Sequence, residues 1–523
     1  MSTKFLTVFA VVFRWMDGSM FFRGFTAMLN FIKNICADSF IAKAFVGDPA
    51  PLEDSIRRSF FAAIANKLLN GLPKPLTAPP HLNTVIQRLF SGSWLISNLC
   101  EGVNVPIPHE SGKNPANTFS MWALFAFPAV GIAAVLFATP FLPTMMLAFM
   151  LLPILFLILL SRPFVIDSTT VFLLIFIVLS AIVSIMSFTP RASIQIVLLT
   201  SIFMMSAQAV MAIASSKKSV DFFILIFVVS ASFAGLYGIY QVFAGYVSDA
   251  TWIDSELFAG ENFRVFSSFD NPNVYATYLL LIIPITAACI VFFKNRFLKF
   301  CAFCATGLLL VNLLLTLSRG SYVALALAVF VFILIIEKRL LILLFGFVPV
   351  LPFLLPQAIM NRLLSIVNLS DTSTTFRMSI WQGSIRIIQD FWLSGVGQGL
   401  EAYHIVYPYY ALAAAGTRHS HNLYLQMLVE IGVGGFFVFI CILACFFRAM
   451  VHFLRHTKEF RLKIMSAAII VGMIGFLVQS MFDYTFFNYR VVLIFYLFIG
   501  LGLAFTRAYR PDIKSNKVGL LNG

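Results

Sequence analysis

Apolar runs of about 20 residues recur along most of the chain, and they constrain its fold more than any other feature. Such a run, as a helix rising about 1.5 Å per residue, crosses the roughly 30 Å of a bilayer's hydrocarbon. No water reaches that layer, so each run must close its backbone hydrogen bonds within itself. Twelve spans are predicted, near 120–139, 141–160, 170–188, 194–214, 220–245, 273–293, 298–317, 320–336, 340–356, 422–447, 464–482 and 489–507. Pro140 and Pro143 part the first two, Ser215-Ser216-Lys217-Lys218 stops the fourth, and Glu337-Lys338-Arg339 stops the eighth. With 60% hydrophobic and only 11% charged residues, a soluble protein of this length could not solvate its surface. The fold class is all-α polytopic membrane protein, with no compact soluble catalytic domain and no repeat strong enough to argue a transporter-like duplication.

Orientation follows from Lys and Arg, which are retained on the cytoplasmic side. With residues 1–118 placed in the cytoplasm and the sides alternating, cytoplasmic segments hold 28 of the 36 Lys and Arg. The other eight are Arg191, Arg264, Arg319, Arg362, Arg377, Arg386, Arg418 and Arg490. The bias predicts both ends inside, a cytoplasmic region over 1–118, a membrane domain over 119–507 and a cytoplasmic tail over 508–523. It also explains the +14 net charge by topology rather than by nucleic-acid binding. No Lys is external. Lys would serve if only solvation mattered, whereas Arg offers a rigid fork that holds phosphate bidentately. The outer face is therefore expected to grip an anionic group.

Within residues 1–118, Asp54-Ser55 followed by Ile56 to Leu72 reads as an amphipathic helix with an N-cap. Arg57, Arg58 and Lys67 fall among Phe60, Phe61, Ile64, Leu68 and Leu69. That pattern suits a helix on an anionic membrane surface or one packed in a small domain. The run Phe5 to Phe13 is too short, and lacks the cleavage site, for a signal peptide. No Cys lies in the large polar loops, and Cys301-x-x-Cys304 at a span start reads as packing.

Two outer segments are long, 246–272 and 357–421. In the first, Asp270-Asn271-Pro272-Asn273 is a helix start with Pro near N1. In the second, apolar positions at Phe376, Ile380, Ile387 and Phe391 predict a surface helix that carries Arg377 and Trp381 on one face. Gly395-Val-Gly397-Gln-Gly399 then forces a turn, without the strand-and-helix setting of a nucleotide loop. Arg418-His419-Ser420-His421-Asn422 leads into the tenth span. On a continuous helix Gly432 lies within about 20° of His421's face, with Gly435 nearby, so a neighbouring helix could pack beneath the histidine. An imidazole there can act as a general base. Glu430 is buried on the opposite face and needs a partner or stays protonated. His419 and His421 could instead ligate a metal, but no third external ligand is evident nearby. Arg319, after Ser318, could reach the same pocket or snorkel to lipid phosphate. Asp483 and Arg490 flank the last outer turn and could pair with each other.

These residues resemble the bacterial O-antigen ligase and O-antigen polymerase superfamily over roughly 120–507. The resemblance rests on twelve spans with a large loop between the ninth and tenth, and on His421-Asn422 followed by Gly432 and Gly435. Arg264 before Phe269-Asp270-Asn271-Pro272-Asn273, Ser318-Arg319-Gly320-Ser321, and Arg377 with Trp381 leading to Gly395-x-Gly397-x-Gly399 complete it. The resemblance implies a glycosyltransferase-C-like fold and a metal-independent, inverting transfer of an undecaprenyl-diphosphate-linked glycan on the outer face of the cytoplasmic membrane. The partners would be that donor, a glycan or lipid acceptor and the bilayer, with no cofactor and no nucleic acid. His421 would be the base. Arg319 and Arg377, with Arg264 and Arg418 beside them, would hold the diphosphate, and Asn422, Gly432 and Gly435 would shape the site. The ligases' Arg-x-x-x-Leu element is absent in strict form, Arg362 with Ile366 being nearest, so ligase and polymerase both stay open. A solute or ion transporter, the rival class, would put polar residues at mid-membrane in broken helices. Here Gln195, Gln208, Gln241 and Glu430 are the candidates for that.

Overall fold

A computed structural model describes residues 39–70, 128–161, 164–246, 264–354, 356–364, 372–412 and 416–510, and an isolated Ala27. Most of residues 1–118, the acidic stretch 247–263, Ile366 and residues 511–523 lie outside the described residues. What is described is helical. Three short helices, α1 (Phe40–Val46), α2 (Ala50–Arg57) and α3 (Phe60–Asn70), come first. Two apolar helices follow, α4 (Pro128–Ala138) and α5 (Thr144–Ser161), where the first two spans are expected. Then come α6 (Ser168–Ile185), α7 (Pro190–Ile213), α8 (Lys217–Phe243), α9 (Pro272–Phe292), α10 (Arg296–Leu315) and α11 (Arg319–Ile336). Short pieces α12 (Leu341–Phe347), α13 (Leu351–Leu354) and α14 (Gln357–Leu364) lead to α15 (Thr372–Phe391) and α16 (Leu400–Val406). The chain closes with α17 (Leu423–His456), α18 (Phe460–Gln479) and α19 (Tyr489–Ala508).

Among the described residues, nine helices are long and apolar enough to cross a membrane: α6 to α11 and α17 to α19. The fold is that of a polytopic membrane protein. The expected ninth span, 340–356, is not one helix but α12, a 3-10 turn and α13. Pro349, Pro352 and Pro356 account for this, because each removes an N–H and crowds the preceding turn.

Local chemistry sets the helix starts. Asn271 caps α9, accepting from the backbone N–H of Asn273 and Val274, with Pro272 at N1, as the sequence predicts. Ser216 and Ser219 form a reciprocal capping box at α8. The centre is α9, α18 and α19, which lie almost wholly inside the bundle. Between lipid-immersed helices the gain comes from close van der Waals packing rather than from water release. Small residues permit it. Gly472 of α18 lies against the backbone of Leu281 in α9, and Gly500 of α19 against that of Ala207 in α7.

The helix that follows His421 departs from the expected geometry. α17 is broken at Gly432, whose φ of 66° and ψ of −176° are not helical. Into the break docks the loop after α15. Val396 and Gly397 donate from their backbone N–H to the carbonyls of Val429 (2.8 Å) and Glu430 (3.1 Å), and Val433 N–H donates to the Trp392 carbonyl (2.8 Å). A Cβ on Gly432 would meet the Leu393 carbonyl oxygen, and one on Gly395 the Glu430 carbonyl oxygen. The close approach expected beneath the histidine is therefore made by a loop rather than a helix. Gly435 is buried against Ile431 of its own helix. The loop also ties to the end of α6, where Phe188 N–H donates to the Val396 carbonyl.

Gly432→Ala should therefore lower stability by about 1–3 kcal/mol, the cost of a strained φ, and expose residues 392–397 to proteolysis. Thermal unfolding and limited proteolysis in detergent check this, and an unchanged melting temperature would show that the break is not needed.

Candidate active site

His421 is not on α17. It sits one residue before the N-cap with φ of 50°, a left-handed conformation. Its neighbours hold it there. Asn422 caps α17, accepting from Tyr424 and Leu425 N–H, and its own amide donates to the Met481 carbonyl at 3.0 Å. Leu423 N–H donates to the Ser480 carbonyl. Ser420 N–H donates to Gln426 Oε1 at 2.7 Å, and Gln426 donates to Glu430 Oε1 at 2.9 Å. Tyr484 OH also donates to Glu430, which supplies the partners expected for that buried acid. The histidine is thus fixed against the corner between α18 and α19.

That corner presents Asp483. Its Oδ1 lies 3.3 Å from His421 Nδ1 and accepts from Tyr484 N–H, while Oδ2 accepts from the Asn273 amide at 2.9 Å. Asn273 Oδ1 in turn accepts from Arg264 Nη2 at 3.0 Å, and Arg264 Nε donates to the Thr316 carbonyl. A continuous chain, His421–Asp483–Asn273–Arg264, therefore joins three parts of the fold. Burial alone would raise the Asp483 carboxyl, but the hydrogen bond from His421 and the nearby charge of Arg377 outweigh it. The carboxyl is held below the usual carboxylate range and stays anionic.

The cations converge on the same place. Arg264 is buried, and burial, with Arg362 and Arg377 close by, pulls its guanidinium down to about 9. Arg377, half-buried on α15, acts on Arg264, His419 and Asp483 alike. Buried like charges raise one another's energy, so an anion entering here would relieve the repulsion. Arg319 begins α11, half-buried. Its neighbour Gly320 packs against Gln479 and Phe482 at the Asp483 corner. Arg418 is exposed on the loop, outside the hydrogen-bonded chain.

His419 plays a different part. Its ring stacks on Phe487 with centroids 5.2 Å apart, and its Nδ1 accepts from His421 N–H at 3.3 Å. Burial, and then the neighbouring His421, lower it to about 3. Ligand atoms of His419, His421 and Asp483 all lie within 4.8 Å of one another, so the third ligand that looked absent in the sequence exists. By donor type the set suits a transition-metal cation. Asp483 already accepts from three groups, and Arg377 opposes a further positive charge. The pairing expected between Asp483 and Arg490 is also corrected. Arg490 donates to Asp270 Oδ2 at 2.8 Å and to the carbonyls of Pro140 and Ser268, and lies over the Phe269 ring. It latches three loops and leaves Asp483 to the histidine.

The arrangement defines an enzyme-like membrane site, an imidazole oriented by a buried carboxylate beside clustered arginines. Residues 304–440, about a quarter of the chain, match the family model described as O-antigen ligase. The match bears out the resemblance to the O-antigen ligase and polymerase superfamily and supports a role in cell-surface polysaccharide biosynthesis. It covers Arg319, Arg362, Arg377, Arg418 and His421, whereas Arg264 and Asp483 lie outside it. No curated protein matches the chain.

The pH dependence follows from His419. The unfolded chain binds its proton near the ordinary imidazole value of 6.5, and the folded chain only near 3, so stability falls as pH drops through that window. His419→Phe keeps a ring on Phe487 but cannot titrate. The gap in melting temperature between pH 7 and pH 5 should shrink in that variant, and an undiminished gap would show that the acid sensitivity lies elsewhere.

Proposed function

We propose that the protein transfers a glycan from an undecaprenyl diphosphate carrier to an acceptor hydroxyl on the outer face of the cytoplasmic membrane. The observation that carries this reading is the His421–Asp483 pair set beside Arg264 and Arg377 in a chain with an O-antigen ligase segment. With its Nδ1–H directed at Asp483, His421 keeps a lone pair on Nε2 to take the acceptor's proton. The hydroxyl oxygen forms a bond to the anomeric carbon from the face opposite the leaving group. The bond from that carbon to the diphosphate oxygen breaks, and the configuration inverts. The diphosphate leaves with the electron pair, held by Arg377 and Arg264, with Arg319 and Arg418 as flanking cations. Asp483 stabilises the imidazolium that forms.

The reading needs no metal, because the arginines do the work of neutralising the leaving group. It is favoured over transport because the broken helix at Gly432 is filled by the chain's own loop rather than by an open path.

Purified protein with an undecaprenyl-diphosphate-linked glycan should make product in the presence of a chelator, and His421→Ala should abolish it. Full transfer by that variant would remove His421 as the base, and loss of transfer on chelation would restore a metal to the mechanism. Arg377→Lys keeps the charge but loses the fork. It should raise the donor KM about tenfold, roughly 1.4 kcal/mol, and an unchanged KM would remove the clamp. Growth of the carrier-linked chain would mark a polymerase, and a single transfer to a lipid acceptor a ligase.

A further inference from the structure

Helix α3 shows three faces, and only one is covered by the described residues. At about 100° per residue, Ala62, Ala65 and Leu69 fall on one side. All three are buried, the two alanines against Val171 at the start of α6. Ala63, Asn66, Lys67 and Asn70 fall on a polar side. Phe60, Phe61, Ile64 and Leu68 fall on the third, and they are exposed by 74%, 56%, 40% and 63%. A helix needs only two faces to sit between protein and water; a second apolar face calls for a second apolar medium.

The helix is firmly placed at the end of the bundle opposite His421. Glu53 of α2 accepts from Ser168 N–H at the α6 N-terminus, and the Asn70 side chain both donates to and accepts from the Phe164 backbone, at 3.1 and 2.7 Å. Arg455, near the far end of α17, donates to the Val46 carbonyl just ahead of this module. Arg57 and Arg58, just ahead of α3 in the chain, and Lys67, next to Phe60 on the helical projection, are exposed. Of the two acids in α2, Glu53 is turned into α6 and Asp54 alone is exposed. Apolar rings flanked by cations where a span begins match an anionic lipid surface in both polarity and charge.

We propose that α3 is an interfacial helix, with Phe60, Phe61, Ile64 and Leu68 in the headgroup–acyl boundary and Arg57, Arg58 and Lys67 on lipid phosphates. It would be a site for anionic lipid separate from the glycan-transfer site. The full chain, with the photo-crosslinking residue benzoylphenylalanine at Phe61 or Leu68, would be reconstituted in vesicles of phosphatidylethanolamine and phosphatidylglycerol. Lipid adducts are expected from both positions and not from Asn66. Adducts to protein from Phe61 and Leu68, or equal lipid adducts from Asn66, would overturn the proposal. A variant combining Arg57→Gln, Arg58→Gln and Lys67→Gln should lose at least about half of the phosphatidylglycerol adducts at Leu68 while transfer activity persists. An unchanged yield would overturn the part assigned to the phosphates.

Discussion

Three backbone hydrogen bonds between the 392–397 loop and the break in α17 hold the two halves of the site together. A transmembrane helix can interrupt its own ladder only if the freed groups find partners inside the protein. Here the carbonyls of Val429 and Glu430 and the N–H of Val433 are satisfied by one loop. That loop is the continuation of α15, which carries Arg377. The break thus seats an otherwise peripheral helix against the segment that ends at His421. The positive φ values of Gly395 and Gly432 are the conformational condition for it.

Much of the fold was legible in the sequence because it depends on local rules. Apolar length gave the spans that the structure describes as single helices, and Asn271-Pro272 marked a helix start. Ile380 and Ile387, chosen by helical spacing, are fully buried in a small core with Tyr403, Tyr407 and Val429. The isoleucine at 366 falls outside the described residues, so the nearest counterpart of the Arg-x-x-x-Leu element has no structural account.

What escaped the sequence depends on contacts between distant segments or on a single torsion. His421 and Asp483 are 62 positions apart, and nothing in either neighbourhood names the other. The one signal was an acid in a short turn on the arginine-bearing side, and that signal equally suited Arg490. Helical phasing from His421 to Gly432 failed because the helix begins only at Leu423 and stops at Gly432. Glycine reads the same whether it admits a neighbouring helix or turns the chain; only the φ value separates the two.

The small core around Ile380, Ile387, Tyr403 and Val429 has a consequence for how such a protein can diverge. It gives the α15–α16 region a small core of its own, seated on the bundle by the backbone bonds of residues 392–397 and by the side chains of Val429 and Phe188. The histidine meets both parts of the fold, with the Phe376 ring of α15 edge-on to it and Asp483 of the α18–α19 corner 3.3 Å away. A change near Arg377 is therefore felt at Asp483 and His421 as well. A lineage could not redraw the one surface without adjusting the other, so the two would drift together.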